Sequence, residues 1–204
     1  LQNFTEHFIV SNYMYMRALY PGDINGDGKM DFVAASSYLN GKILWYQNDG
    51  LGGFNERSIK DDDDIRGSYY DIFVKDMDSD GDNDVIVADL YNLFWYENLG
   101  GGVFTGDKKI ISSLVSEPKC IFVADMDADG KMDVLSASMN TGLLLHHNLG
   151  SDIFEEINIP ADPSYKYAVF AEDIDQDGDL DILSGGTNDS RFAWHENTAP
   201  LTYQ

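Results

Sequence analysis

Short apolar runs of four residues recur along this chain in pairs, and each pair brackets a stretch that is almost wholly polar. The first run of each pair covers residues 17–20, 71–74, 120–123 and 168–171, and the second covers 32–35, 85–88, 134–137 and 182–185. The runs are rich in β-branched and aromatic residues and bounded by Gly, Asn and Asp, a pattern that predicts short strands and turns. After each second run comes a turn built on Asn40-Gly41, Tyr91-Asn92, Asn140-Thr141-Gly142 or Asn188-Asp189-Ser190. A third strand then ends in a recurring tetrad: Trp45-Tyr46-Gln47-Asn48, Trp95-Tyr96-Glu97-Asn98, Leu145-His146-His147-Asn148 and Trp194-His195-Glu196-Asn197. A glycine-containing turn leads from the first three tetrads to a more polar fourth strand starting at Phe54, Phe104 or Phe154.

Self-similarity with a period of about 50 residues signals a propeller or a solenoid. The expected fold is all-β: one β-propeller domain over residues 1–204, built of four four-stranded blades. Its repeats lie near 11–60, 61–111, 112–160 and 161–204 plus 1–10. Residues 4–9 match the outer strands expected at 54–59 and 154–159, while the last repeat stops after its third strand. The N-terminal segment is therefore expected to complete the last blade, closing the ring and leaving no open sheet edge.

The polar stretches share one nine-residue pattern, D-x-[DN]-x-D-G-x-x-D, whose first residues are Asp23, Asp76, Asp125 and Asp173, spaced 53, 49 and 48 apart. Alternate residues of a tightly curled loop point inward together, and the glycine at position 6 turns the chain sharply. Positions 1, 3, 5 and 9 thus form an oxygen cage, completed by the backbone carbonyl at position 7. The candidate ligands are Asp23, Asn25, Asp27, Lys29 and Asp31; Asp76, Asp78, Asp80, Asp82 and Asp84; Asp125, Asp127, Asp129, Lys131 and Asp133; and Asp173, Asp175, Asp177, Asp179 and Asp181. All-oxygen ligation at about six or more points suits Ca²⁺ better than Mg²⁺, which keeps waters and demands a stricter octahedron. Up to four Ca²⁺ ions are expected. The first loop, with Asn25 and three carboxylates, is expected to be the weakest site. An Asp-Gly turn alone is ordinary turn chemistry, but four copies in register call for a common cation.

Charge sharpens this picture. The chain has 36 acidic and 13 basic residues, a formal charge of −23. The loops hold three, five, four and five of the acids, so clustered charge sits where cations would cancel it. Such a field argues against nucleic acid or an anionic membrane as partner, and no membrane-inserting segment is visible. The single cysteine, Cys120, lies in an apolar run and reads as a core residue. Calcium loops of this kind favour a secreted, extracellular or periplasmic setting, where the ion is abundant. No signal peptide is present in this chain. The Asn-x-Ser/Thr triplets at Asn3 and Asn188 are compatible with secretion.

The nine-residue loop followed by an apolar strand resembles the FG-GAP/VCBS repeat family, the calcium-loop propellers of integrin α subunits, several lectins and secreted microbial proteins. The resemblance spans essentially the whole chain. It implies that each loop joins the first and second strands of a blade and binds Ca²⁺ through the residues named above. Phe-Gly and Gly-Ala-Pro motifs are absent as such, which places the chain nearer the VCBS-type branch. Members with seven or eight blades are usual, so four blades imply either a small monomeric ring, the favoured reading, or half of an eight-bladed dimer.

A catalytic constellation does not emerge. His146 and His195 occupy the tetrad slot of Tyr46 and Tyr96, no carboxylate pair stands out, and Gly100-Gly101-Gly102 is a turn, not a phosphate loop. The loops opposite the aspartate rim carry the better candidates: Tyr13, Tyr15, Tyr38, Arg66, Tyr69, Tyr91, Tyr165 and Arg191. Tyrosines with Asn, Asp and Arg offer flat apolar faces with hydrogen-bonding tips, which suit sugars or protein partners. The acidic run at 61–64 reads as a solvated loop. The expectation is a secreted, calcium-stabilised, non-catalytic binding or adhesion module for a carbohydrate or protein ligand. The alternative from another class is a polysaccharide-active lyase or glycosidase, or an accessory domain of one, with Tyr69 beside Arg66.

Overall fold

The computed structural model describes residues 3–10, 15–37, 41–59, 67–160, 165–187 and 191–198. Among these the chain forms strands and turns without a helix, so no helix is long and apolar enough to cross a membrane. The first sheet holds β1 Met16–Gly22, β2 Asp31–Ser36, β3 Ile43–Asn48 and β4 Phe54–Ser58. The second holds β5 Asp71–Lys75, β6 Asp84–Ala88, β7 Leu93–Tyr96 and β8 Lys109–Ser112. The third holds β9 Pro118–Ala124, β10 Asp133–Ser138, β11 Gly142–Gly150 and β12 Ile153–Asn158. The fourth holds β13 Lys166–Glu172, β14 Asp181–Gly186 and β15 Phe192–His195. Each sheet is an antiparallel meander in sequence order, which makes it a propeller-like blade.

Both faces of the inner strands of the second and third blades are apolar because each of these blades is covered on two sides. Val33, Ala35, Ile43 and Trp45 of the first blade pack on Ile72, Val74, Val87 and Phe94 of the second. The opposite face of the second, with Phe73, Ile86, Leu93 and Trp95, packs on Ile121, Val123, Val134 and Leu144 of the third. Leu135, Ala137, Leu143 and Leu145 of the third then meet Val169, Ala171 and Ile182 of the fourth. Where the first two interfaces insert an indole, the third inserts Leu145, and a cavity of about 330 Å³ lies there between Leu145, Met126, Ile159, Leu180 and His195. Cys120, on β9, is a half-buried thiol pushed up to about 11 by desolvation, which makes it a poor nucleophile.

The innermost strands carry one aromatic at the same register position in every blade: Tyr20, Phe73, Phe122 and Phe170. These rings form a continuous ladder, with centroids 4.2 Å apart for Tyr20–Phe73, 5.5 Å for Phe73–Phe122 and 4.5 Å for Phe122–Phe170. The ladder fixes successive blades around a common line.

Among the described residues the expected closure of the ring is not seen. Residues 3–10 belong to no strand, Phe4 and Phe8 are fully exposed, and the last sheet has three strands in the order β13-β14-β15. The segment 4–9 shares the Phe-x-Glu-x-x-Ile spacing of 54–59 and 154–159, but no backbone pairing among the described residues draws it onto β15. The first blade accordingly keeps a separate small cluster of Ala34, Leu44, Tyr46, Phe32 and Phe54 on its outward face, and the last blade exposes Phe192, Trp194 and Leu183.

Candidate metal centres and the opposite rim

Each aspartate loop joins the first and second strands of its blade, and all four fold by the same hydrogen bonds. The carboxylate at position 1 accepts from the backbone N–H groups of positions 5 and 6: Asp125, for example, takes Asp129 N–H at 3.0 Å and Gly130 N–H at 2.9 Å. Asp23, Asp76 and Asp173 do the same. Positions 3 and 5 each accept an N–H two residues on, as Asp78 does from Asp80 and Asp80 from Asp82. This curling requires two left-handed residues per loop. Glycine supplies the one at position 6, but position 4 is Gly26, Ser79, Ala128 or Gln176, with φ of 70°, 64°, 60° and 66°.

Position 9 has a role that the motif did not disclose. Its carboxylate is buried in all four blades, and both oxygens are taken by backbone donors. Asp84 accepts from Met77 N–H at 2.8 Å and Asn98 N–H at 2.9 Å; Asp133 from Met126 at 3.0 Å and Asn148 at 2.7 Å; Asp181 from Ile174 at 3.1 Å and Asn197 at 2.8 Å. Asp31 accepts from Ile24, Asn48 and the Trp45 indole. The residue therefore ties the loop to the end of the third strand as well as walling the cage. The tetrad asparagine completes the tie: Asn48, Asn98, Asn148 and Asn197 each donate their amide to the carbonyl preceding position 9. Asn98 also donates to Ile24 of the preceding loop at 2.8 Å, locking neighbouring blades. The recurrence of Asn at the fourth tetrad position was the available signal.

The geometry gathers Asp76, Asp78 and Asp84; Asp125, Asp127 and Asp129; Asp127, Asp133 and His147; and Asp173, Asp175 and Asp181, each group with ligand atoms within 4.8 Å of one another. The carboxylates of the first loop form no such group among the described residues, in keeping with its expected weakness. Asp84 is pushed up to about 7, chiefly by burial, with Asp78 and Asp80 adding to the shift. Burial followed by repulsion from Asp80 raises Asp78, and burial followed by repulsion from Asp177 raises Asp175 and Asp179. Carboxylates whose charge is disfavoured by burial and by one another are what a cation cage looks like without its countercharge. The residues of loops two and four, oxygen donors only, fit a hard divalent ion. In loops one and three the lysine at position 7 supplies part of the countercharge: Lys29 Nζ lies 3.0 Å from Asp27 Oδ2, and Lys131 Nζ bonds Asp129. Asp82 and Asp179 take that position in the other two loops, without a cationic side chain.

At the opposite ends of the strands, the connections between blades and those between second and third strands lie side by side. Ser37 donates to Tyr15 O at 2.9 Å, Glu117 to Leu90 O at 2.9 Å and Thr187 to Tyr165 O at 3.3 Å. Tyr15, Tyr165 and Arg191 are exposed on this rim, and Tyr91 most of all at 61%. Tyr69 is not a surface residue. It is 4% exposed and packed in the core between the first two blades, because the chain just before β5 turns its ring inward. Tyr13, Tyr38 and Arg66 lie outside the described residues, as does the acidic run at 61–64. A residue not singled out from the sequence, Tyr70, holds the rim together: Arg17 and Lys119 each approach its ring centroid at 4.1 Å.

His146 and His195, each the second residue of its tetrad, make packing contacts inside their blades. His146 Nε2 lies 2.9 Å from Ser136 Oγ, and His195 Nε2 lies 2.9 Å from Ser184 Oγ, so each histidine pairs with a serine where blades one and two have Ala34 or Val87. His146 Nδ1 stands 3.8 Å from Glu156. The Ser136–His146–Glu156 alignment has the residue types of a hydrolytic triad, but Ser136 and His146 are fully buried. Burial pushes His146 down to about 4. A histidine at its ordinary value in the unfolded chain takes up a proton below about pH 6.5, so the folded state loses stability as pH falls through that range. The substitution His146→Tyr restores the side chain of the first two blades, and Glu56 already accepts the Tyr46 hydroxyl at 3.3 Å in the equivalent pairing. Between pH 7.5 and pH 5, urea titrations in a chelator should show the variant gaining about 2 kcal/mol over the parent chain. Parallel pH profiles would refute the neutral, buried histidine.

The FG-GAP-like repeat model matches this chain three times, over residues 23–87, 76–136 and 125–184. Among solved structures, the chain is similar to an Agrocybe aegerita lectin, described as specifically recognising non-reducing terminal N-acetylglucosamine, with 24% identity and a TM-score of 0.60. That likeness covers 80% of this chain and 45% of the lectin, so the chain spans less than half of the lectin's length. The biofilm matrix protein Bap1 of V. cholerae aligns over 90% of this chain and 31% of its own, with 17% identity and a TM-score of 0.47. No curated protein sequence matches. With the repeat model spanning residues 23–184, over the same four loops and the strands that flank them, the chain belongs to the FG-GAP-like repeat family.

Proposed function

We propose that this chain is a calcium-stabilised, non-catalytic binding module, displayed outside the cell or in the periplasm, that holds a carbohydrate or protein ligand on the rim opposite its aspartate loops. The observation that carries this reading is the division of labour between the two rims. One rim concentrates carboxylates whose charge calls for cations, and the other presents Tyr15, Tyr91, Tyr165 and Arg191 on loops hydrogen-bonded to one another. Calcium acts structurally in this scheme, since the loops face away from the tyrosines. Tyrosine rings stack on the apolar faces of sugars while their hydroxyls satisfy polar groups, and a lectin of similar fold supports carbohydrate as the first class to test. The formal charge of −23 disfavours nucleic acid and anionic lipid.

A glycan array that includes ligands ending in non-reducing N-acetylglucosamine, followed by calorimetry on the strongest binder, tests the proposal. Tyr91→Ala should weaken binding at least about tenfold, or ~1.4 kcal/mol, with an unchanged melting temperature. Binding unaffected by Tyr91→Ala and Tyr15→Ala would remove the rim from the reading. Cleavage of the bound glycan would overturn the non-catalytic assignment.

A further inference from the structure

The third loop departs from the other three at one position. The third residue of the tetrad is Gln47, Glu97 and Glu196 in blades one, two and four, but His147 in blade three. The imidazole is 2% exposed and aimed into the loop: Nδ1 lies 3.2 Å from Asp133 Oδ1 and 3.8 Å from Asp127 Oδ2. The three donor atoms lie within 4.8 Å of one another. Two neighbouring changes go with it. Leu145 replaces the tryptophan that in blade one donates its indole N–H to Asp31 at 2.9 Å, so Asp133 has no such donor from that position. Lys131 engages Asp129 through both its backbone N–H and its ammonium group, drawing one carboxylate out of the oxygen set.

We propose that the third loop takes a borderline transition dication, of the Zn²⁺ or Co²⁺ class, through His147, Asp127 and Asp133. This rests on the calcium reading for the other loops and departs from it here. Ca²⁺ wants six to eight oxygens and gains little from an imidazole, whereas a nitrogen with two carboxylates and water in the remaining positions is a common donor set for borderline metals. Loop one has the same lysine arrangement but Gln47, and loops two and four have the carboxylates but Glu97 and Glu196; only loop three combines a depleted oxygen set with a nitrogen donor. If the imidazole served only as a hydrogen-bonding replacement for the missing indole, the site would show no preference among cations.

The experiment is to titrate Co²⁺ into the calcium-saturated chain, reading its d–d absorption and counting each metal by native mass spectrometry. One Co²⁺ per chain is expected, with calcium retained elsewhere. His147→Gln, which installs the residue of the first loop, should weaken Co²⁺ by at least about 100-fold while leaving the other calcium ions in place. Should that variant fail to fold, Glu97→His builds the same donor set beside Asp78 and Asp84 and should create a second cobalt site. Calcium at the loops with no cobalt uptake, or uptake unchanged by His147→Gln and by Glu97→His, overturns the inference and leaves the calcium reading standing. Cobalt uptake through His147 with no calcium at any loop would do the reverse.

Discussion

Stripping divalent cations from this chain is expected to lower its melting temperature by roughly 20 °C. A ligand held only by the folded state at about 100 times its dissociation constant adds ~2.7 kcal/mol per site. Three well-gathered loops therefore contribute on the order of 8 kcal/mol, comparable to the whole net stability of an ordinary domain. For a chain of this length each kcal/mol moves the midpoint by about 2–4 °C. The contribution is unevenly spread. Loop two, with Asp84 pushed up to about 7 by burial and by Asp78 and Asp80, has the greatest need of a countercharge. Loop one, where Asn25 replaces a carboxylate and the Lys29 ammonium holds Asp27 below its usual value, has the least. Scanning calorimetry in excess calcium and in chelator measures the difference, and superimposable curves on protein proven metal-free would end the structural role of calcium.

Strand order and loop placement were legible in the sequence because a period of two and a nine-residue motif repeated four times leave few alternatives. The tyrosine-slot reading of His146 and His195 holds for the same reason: comparison among repeats separates a packing position from a chemical one. Other features depended on information that spacing does not carry. The motif shows that position 9 is acidic, but not that both oxygens of Asp84 are taken by Met77 and Asn98. The Phe-x-Glu-x-x-Ile spacing of residues 4–9 mimics an outer strand, yet pairing is a property of two backbones, and β15 receives none from this segment. Tyr69 and Tyr70 are adjacent tyrosines, and only the direction of the chain entering β5 sends one into the core and leaves the other between Arg17 and Lys119. The equivalence behind the aromatic ladder was available, since Tyr20, Phe73, Phe122 and Phe170 each stand three residues before the first aspartate of their loop, but spacing does not show that the rings meet.

The dual role of position 9 makes Asp84 and Asp80 a discriminating pair. Asp80→Asn keeps an oxygen to accept the Asp82 N–H and removes one of the charges that crowd the second loop. In chelator it should be neutral or slightly stabilising, and its cost of about 2–3 kcal/mol should appear only when calcium is present and one ion is lost. Asp84→Asn behaves differently, because both carboxylate oxygens accept backbone N–H groups. An amide can serve only one of them; its NH₂ group then faces a donor, and a buried N–H is left unsatisfied at a cost of about 1–3 kcal/mol. Relief of the buried charge offsets part of this, so a net loss of about 2 kcal/mol is expected in chelator, with the loss of the ion added in calcium. Denaturant titrations of both variants under both conditions give four numbers that separate ligand from tether. A neutral Asp84→Asn in chelator would show that the backbone bonds are dispensable and that position 9 serves the cation alone. A calcium-independent cost for Asp80→Asn would move that residue from the cage to the scaffold.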